Sequence, residues 1–233
     1  MKRVILTLFI AASIFAANAQ GARTMYVMKN NAVVGQYAVA DIDSIIFYKP
    51  VISGVLINGV VWATCNVAAP GAFADSPTDA GMLYQWNRKI GWSATNPMVN
   101  SNGETTWNST TPTGTTWETA NDPSPAGWRV PTTEEQQTLL DASRVSSQWV
   151  EQNGVWGRKF TDLENGNFIF LPAVGYRDFS DGTLYGAGSY GYYWSSTQSD
   201  SYDAYLLFFL SSNVFWNYFY DRKFGFSVRP VAE

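Results

Sequence analysis

Polar and apolar positions alternate most regularly near the C-terminal end of the chain, from Tyr193 to Arg229, which reads YWSSTQSDSYDAYLLFFLSSNVFWNYFYDRKFGFSVR. A period of two predicts strands. Leu206, Phe208 and Leu210 share one parity and Tyr205, Leu207 and Phe209 the other, so a strand here is apolar on both faces. Ser211-Ser212-Asn213 supplies a turn. Beyond it Phe215, Asn217, Phe219 and Asp221 alternate with Val214, Trp216, Tyr218 and Tyr220. Two readings follow. In one, this is sandwich-core structure covered on both sides. In the other, the second set of positions is a core face. The first set mixes Leu, Phe, Asn and Asp, an assortment that packing against a fixed neighbour seldom selects, and it faces a ligand. Side chains that do not pack in the core hardly alter stability, so such a face can vary while the scaffold persists.

The same patterning places the other elements. Three short β-prone runs, TMYVM, AVVGQYAV and SIIFY, lie between Thr24 and Tyr48 and predict a small meander, and Lys49-Pro50 marks its end. In GVLINGVVWATCNV, Asn58-Gly59 predicts a hairpin turn. Residues 81–92 fit a strand or a helical turn. Residues 93–122 form a long polar connection in which TTW occurs twice, ending at Trp107 and Trp117, a device to fix the loop against a sheet. Thr132 or Thr133 is placed to cap a helix, with Glu135 or Gln136 three residues later and good helix formers over 134–142. Strands are expected over 148–155, 157–161, 167–174 and 193–197.

At the other end, Met1-Lys2-Arg3, an apolar run over 4–17 and Ala17-Asn18-Ala19 predict a secretory signal peptide over 1–19, cut before Gln20. The run is short for a membrane span. The expected organisation is therefore a leader, a small β module over 20–50, and a main domain over 51–233. The expected location is beyond the inner membrane, at the cell surface or outside the cell, with the periplasm as the alternative.

Composition narrows the chemistry. Aromatic residues make up 16% of the chain, charged residues 15%, and the net charge is −4, a balance that opposes nucleic-acid binding. The chain has no His, which removes every His-dependent triad and the commonest zinc ligand. Cys65 is the single cysteine, so no internal disulfide forms, and a small buried hydrophobe is its expected role. Arg129, between Trp128 and Val130, suits a structural ion pair. The acidic pairs Asp178/Asp181 and Glu134/Glu135 are the only hint of glycoside hydrolysis, and acids in a turn or on a capped helix usually face solvent.

The segments ANDPSPAGWRVPTTEEQQTLL (120–140), GYYWSSTQ (191–198) and GFSVRPV (225–231) resemble the Fibrobacter-type major paralogous domain of secreted bacterial proteins. That resemblance implies an α+β, C-type-lectin-like fold of mixed, mostly antiparallel sheets with one or two helices, preceded by the small β module. The tail, about 199–224, is similar to the variable region of proteins diversified by retroelements. There, a template rich in Asn codons is copied with errors at adenines. The resemblance marks Asp200, Tyr202, Asp203, Leu206, Phe208, Leu210, Phe215, Asn217, Phe219, Asp221 and Phe224 as ligand-binding positions, with Trp194 and Trp216 as fixed posts. The calcium motifs of C-type lectins are missing, since Trp216-Asn217-Tyr218 lacks the acid, so no metal or cofactor is expected.

The reading reached from sequence is an exported binding protein of adhesin or receptor type, not an enzyme. Its partner is a protein or glycan on another cell or host surface, with pilus or other surface components as further partners. The alternative is a structural surface or pilus subunit that uses the apolar tail as an assembly interface. A carboxylate-dependent carbohydrate-active enzyme ranks third.

Overall fold

The structure, a computed structural model, describes residues 24–29, 32–39 and 54–233. The chain divides into two compact units, 1–50 and 51–233. The predicted leader and the SIIFY run lie outside the described residues. In the first unit β1 (Thr24–Lys29) and β2 (Ala32–Ala38) pair antiparallel, from Thr24 opposite Ala38 to Lys29 opposite Ala32. Tyr26, Val27, Val33, Val34 and Tyr37 of this ribbon are exposed.

The second unit opens with β3 (Val55–Ile57) and β4 (Val60–Trp62), joined at Asn58-Gly59, where both residues take positive φ, 43° and 82°. A type I′ turn needs such angles at both central positions, and Asn-Gly meets the need. Residues 81–92, ambiguous by pattern, form most of a hairpin of β5 (Met82–Tyr84) and β6 (Gly91–Ser93). Then come β7 (Trp128–Arg129) and the helix α1 (Thr133–Thr138). Thr132 caps α1 by a reciprocal capping box with Glu135, which in turn forms the ion pair with Arg129 at 2.6 Å.

The remaining strands are β8 (Val145–Gln152), β9 (Val155–Asp162), β10 (Phe168–Pro172), β11 (Tyr176–Arg177), β12 (Leu184–Tyr185), β13 (Gly191–Gln198), β14 (Asp203–Phe209), β15 (Val214–Asp221) and β16 (Val231–Ala232). They pair into small antiparallel sheets: β3-β4-β16-β7, β10-β9-β8, β11-β12 and β13-β14-β15. Short parallel bridges, Gly175 to Gly191 and Tyr193 to Ser227, tie β13 to its surroundings.

This architecture corrects the expected fold class. The described residues are 43% strand and 5% helical, with one α-helix, so the protein is mostly β rather than an α+β lectin-like fold. The physical reason is local. Only 133–138 combines an N-cap with a run of helix formers, whereas aromatic and β-branched residues fill most other regular segments. Between them, glycines at positive φ, among them Gly175, Gly182 and Gly186, turn the chain back on itself.

Two cores hold the second unit together. One joins Trp62, Leu139, Phe160, Ile169, Leu171, Tyr193, Leu207, Phe209 and Val231. The other joins Val67, Tyr84, Trp86, Trp117, Val130, Tyr192, Trp194, Ala204, Leu206, Phe226 and Val228. Strand β14 lies between them and contributes to both. Trp194 is fully buried and donates its indole N–H to the Tyr84 carbonyl at 2.7 Å. Both TTW tryptophans are buried in the long polar connection: Trp107 packs on Trp92 with centroids 4.8 Å apart, and Trp117 donates its backbone N–H to the Ser196 carbonyl. Cys65 is buried.

Four arginines, Arg158, Arg177, Arg222 and Arg229, are buried without a carboxylate in hydrogen-bonding contact. Backbone carbonyls replace it. Arg229 donates to Asn66 Oδ1 and to the carbonyls of Ala63, Thr64 and Phe170. Arg177 reaches the carbonyls of Ser93, Thr95 and Gly182. A planar guanidinium with five donors can bind several loops at once, which lysine cannot.

Candidate aromatic binding face

The sheet β13-β14-β15 carries the sequence-predicted site, and its irregular register decides where each residue lands. Leu206 sits opposite Tyr218 and Phe208 opposite Phe215, so Trp216 and Asn217 together stand across from Leu207. This bulge reverses the parity of β15 partway along it. Before it, Val214 and Trp216 pack toward the first core; after it, Tyr220 packs toward the second, with Phe208 and Phe224. The two parity sets read from sequence therefore do not correspond to two faces.

The predicted ligand-binding residues fall in five places. Phe208, Phe215 and Phe224 share one face and are partly buried. Phe219 is on the opposite face, 54% exposed, edge-on to Tyr205 at 6.3 Å, and Asn217 is exposed in the bulge. Leu210 is half-buried at the β14–β15 turn, where its N–H bonds the Asn213 carbonyl. Asp200, Tyr202, Asp203 and Asp221 gather at the far end of the sheet around Arg222, which donates to the Asp200 and Asp203 carbonyls, Gln198 Oε1 and the Gly114 carbonyl. Leu206 is 0% exposed. It belongs to the second core and not to a binding surface, because its side of β14 is closed by Trp194, Ala204 and Phe226.

The face that carries Phe208 and Phe215 continues beyond the predicted residues. A file of rings crosses five strands: Phe215 to Phe208 at 5.9 Å, Phe208 to Tyr192 at 4.7 Å, Tyr192 to Tyr176 at 5.2 Å and Tyr176 to Tyr185 at 5.8 Å. Three of these four steps are direct cross-strand or hairpin partners. Tyr190, Tyr218, Tyr220, Phe224 and Phe179 flank the file, with Tyr220 5.1 Å from Phe224 and Phe224 5.1 Å from Phe179. Tyr185, Tyr190 and Tyr218 are 50%, 39% and 40% exposed, whereas Tyr192 in the floor is 7% exposed.

The loop 186–190 that presents Tyr185 and Tyr190 is built by glycine. A Cβ on Gly175 would lie 2.1 Å from the Tyr185 carbonyl, and one on Gly186 would lie 2.5 Å from the Tyr190 ring. Backbone bonds from Gly175 to Tyr190 and from Tyr190 to Gly186 close it. The rim rings are thus held in place before any ligand arrives. Charge is sparse: Lys223 pairs with Asp221 at 3.2 Å and lies over the Phe179 ring. Burial, followed by the neighbouring Tyr220 and Tyr176, pushes the Tyr192 phenol above its ordinary range. Burial and then Asp178 raise that of Tyr176. Both remain protonated donors.

Reading the sequence by parity missed Tyr218 and Tyr220, assigned there to the core, and did not single out Tyr176, Tyr185 or Tyr190. A signal was present in the glycine-spaced tyrosines of YRDFSDGTLYGAGSYGYY (176–193). The acids considered for hydrolysis serve turns and the helix: Asp178 accepts from Ser180, Asp181 from Thr183, and Glu135 binds Arg129. Among the described residues, no group of three or more acidic or Cys side chains is placed to hold a metal ion, and no helix is long and apolar enough to cross a membrane.

Residues 155–231, from β9 to the start of β16, match the family model described as a domain of unknown function (DUF8237). No curated protein and no solved structure matches the chain. The matched segment contains the whole ring file.

Proposed function

We propose that this chain is an exported ligand-binding protein of adhesin or receptor type, and that it engages its partner through the aromatic face of β13-β14-β15 and the adjoining β11-β12 hairpin. One observation carries the reading: a contiguous, half-exposed set of Tyr and Phe rings on a frame that does not need their outer parts for its own folding. Large exposed aromatic patches on folded domains mark interaction surfaces. Each ring that a partner covers fully contributes roughly 1.5–3 kcal/mol, and several together offset the roughly 4–15 kcal/mol cost of association.

The resemblance of the tail to retroelement-diversified regions fits this reading best at Phe215, Asn217 and Phe219, which belong to neither core, and less well at Phe208 and Phe224, which are partly exposed but pack against the second core. It does not fit at Leu206. The test compares the gene with any Asn-rich near-copy beside it. Codons ending in C at 208, 215, 219 and 224, together with a neighbouring reverse transcriptase, support diversification. A unique gene with unbiased codons there refutes it without touching the binding face. Binding itself is tested with Tyr190→Ala/Tyr218→Ala, which must abolish adhesion of the purified protein to host or bacterial cells while leaving its melting temperature unchanged.

A further inference from the structure

The outer strands of the sheets differ in what becomes of their free edges. β13 is bridged to Gly175 and Ser227, β15 is interrupted by its bulge, and the β10 carbonyls of Phe170 and Pro172 accept from Arg229 and Tyr193. Strand β8 has none of these devices. It is the last strand of β10-β9-β8, pairs with β9 along its whole length without a register shift, and contains no Pro, Gly, Lys or Arg. The Leu163 N–H bonds the Arg144 carbonyl, which sets the alternation of the ladder. Even-numbered residues of β8 bond to β9, and odd-numbered ones turn both N–H and C=O outward. The Val145 N–H is taken by the Asp141 carbonyl. The N–H and C=O groups of Ser147, Trp149 and Glu151 meet no described residue. Such a row of alternating donors and acceptors is matched by another extended strand.

We infer that β8 pairs with β8 of a second copy of this chain, antiparallel about a two-fold axis at Trp149, so that two sheets become one. The strand complements itself. In this register Ser147 lies opposite Glu151 of the partner subunit, and Trp149 opposite Trp149 of the partner subunit, which pairs every outward N–H and C=O of the three residues. A shift of two residues one way sets Glu151 against Val145, whose N–H is already used. A shift the other way sets Ser147 against Asn153, in the hairpin turn at φ 50°. The side chains favour the same register. Ser147 Oγ accepts from Arg158 Nη1 at 3.1 Å, which leaves its hydroxyl hydrogen to donate to the Glu151 carboxylate across the axis; no described residue bonds that carboxylate. No like charges oppose one another, since Gln148 faces Val150 and Ser146 faces Gln152. At the axis Trp149 stacks on Trp156 with centroids 5.9 Å apart, and Trp156 is 43% exposed. Apolar area thus sits at the centre of the contact and polar groups at its ends, the usual anatomy of a protein interface. The inference does not depend on the aromatic face as a binding surface.

One pair of strands covers less than the roughly 800 Å² per partner of a standard interface, so a reversible dimer with a Kd of about 1–100 μM is expected. Analytical ultracentrifugation of the purified protein across that concentration range measures it. Glu151→Pro, at an exposed edge position whose N–H has no bond within the chain to lose, should weaken the dimer at least about tenfold and leave the melting temperature of the monomer unchanged. The register is read by cysteine pairs. Gln148→Cys/Val150→Cys should oxidise to a covalent dimer, because those positions oppose each other across the axis. Gln148→Cys/Gln152→Cys should not, because its cysteines lie out of register and more than about 7 Å apart. A protein that stays monomeric throughout, a dimer indifferent to Glu151→Pro, or capture by the second cysteine pair rather than the first overturns the inference. A dimer lost instead in Tyr190→Ala/Tyr218→Ala also overturns it, and assigns self-association to the aromatic face.

Discussion

Strands β13 and β15 flank the same central strand, yet their surroundings differ sharply. From Gly191 to Ser195 every residue of β13 is buried, and α1 reaches across to it through Gln136, which donates to the Tyr193 and Trp194 carbonyls. Over β15 no residue is fully buried, and Asn217, Tyr218 and Phe219 are exposed. The exposed strand is the more aromatic, with five rings among the eight residues of β15 against three among the eight of β13, so composition did not decide their fates. Neighbours did: both are outer strands of the three-stranded sheet, but β13 is bridged on its free side to Gly175 and Ser227 and contributes to both cores, whereas β15 has no such bridge among the described residues. One is frame and the other is surface.

Substitutions separate the two, and the largest effect belongs to the frame. Trp194→Ala should cost about 3–5 kcal/mol and leave little folded protein, measured by urea denaturation. Arg229→Met should cost a similar ~3–5 kcal/mol, because the carbonyls of Ala63, Thr64 and Phe170 and the Asn66 side chain lose their donor in the interior. Arg229→Lys should recover only part of that loss, since an ammonium lacks the planar fork. An Arg229→Met variant as stable as the parent would remove the buried guanidiniums from the account of the frame.

Within β14 and β15 the comparison sharpens. Leu206→Ala should cost about 2–5 kcal/mol, whereas Phe219→Ala should stay within about 0.5 kcal/mol. Equal costs at the two positions would erase the division between frame and face.

The smallest effect is on pH dependence. Asp203 stands opposite Asp221 in the β14–β15 register, and burial, then Asp200 and Asp221, raises its carboxyl above the ordinary range. The folded protein therefore binds this proton more readily than the unfolded chain, and stability rises as the pH falls toward the ordinary Asp value of about 3.9. The opposite holds for Asp162 and Asp200. Backbone N–H groups of Asn58 and Asn165 hold the first low, and those of Tyr202 and Asp203 the second. For Glu135, burial alone would raise the carboxyl, but hydrogen bonds from Arg129 and Thr132 outweigh it and leave it low. Their contribution is complete above the unfolded values and is lost as the pH falls through the depressed folded ones, below about pH 4. The melting temperature should pass through a shallow maximum between neutral pH and about pH 4. Asp203→Asn should raise it by about 1–2 °C at pH 7 and flatten that maximum, a change calorimetry can follow.

Sequence by itself determined the elements whose causes are local. Asn58-Gly59 specified its turn because the angles required belong to those residue types, and Thr132 with Glu135 specified the helix start because both capping bonds close within one turn. The burial of the TTW tryptophans and the ion pair of Arg129 were also legible, as large aromatic or charged groups beside a short element. Fold class was not, since a resemblance in three short segments outweighed the scarcity of helix-forming runs elsewhere in the chain.

Tertiary structure alone decided which aromatic residues face outward. Parity along a strand predicts a face only while pairing is regular, and the extra residue opposite Leu207 is a property of two strands meeting rather than of either sequence. The gathering of Tyr176, Tyr185, Tyr190 and Tyr218 likewise depends on glycine-shaped turns and on strands that pair across the sheet, long-range contacts that no local window contains.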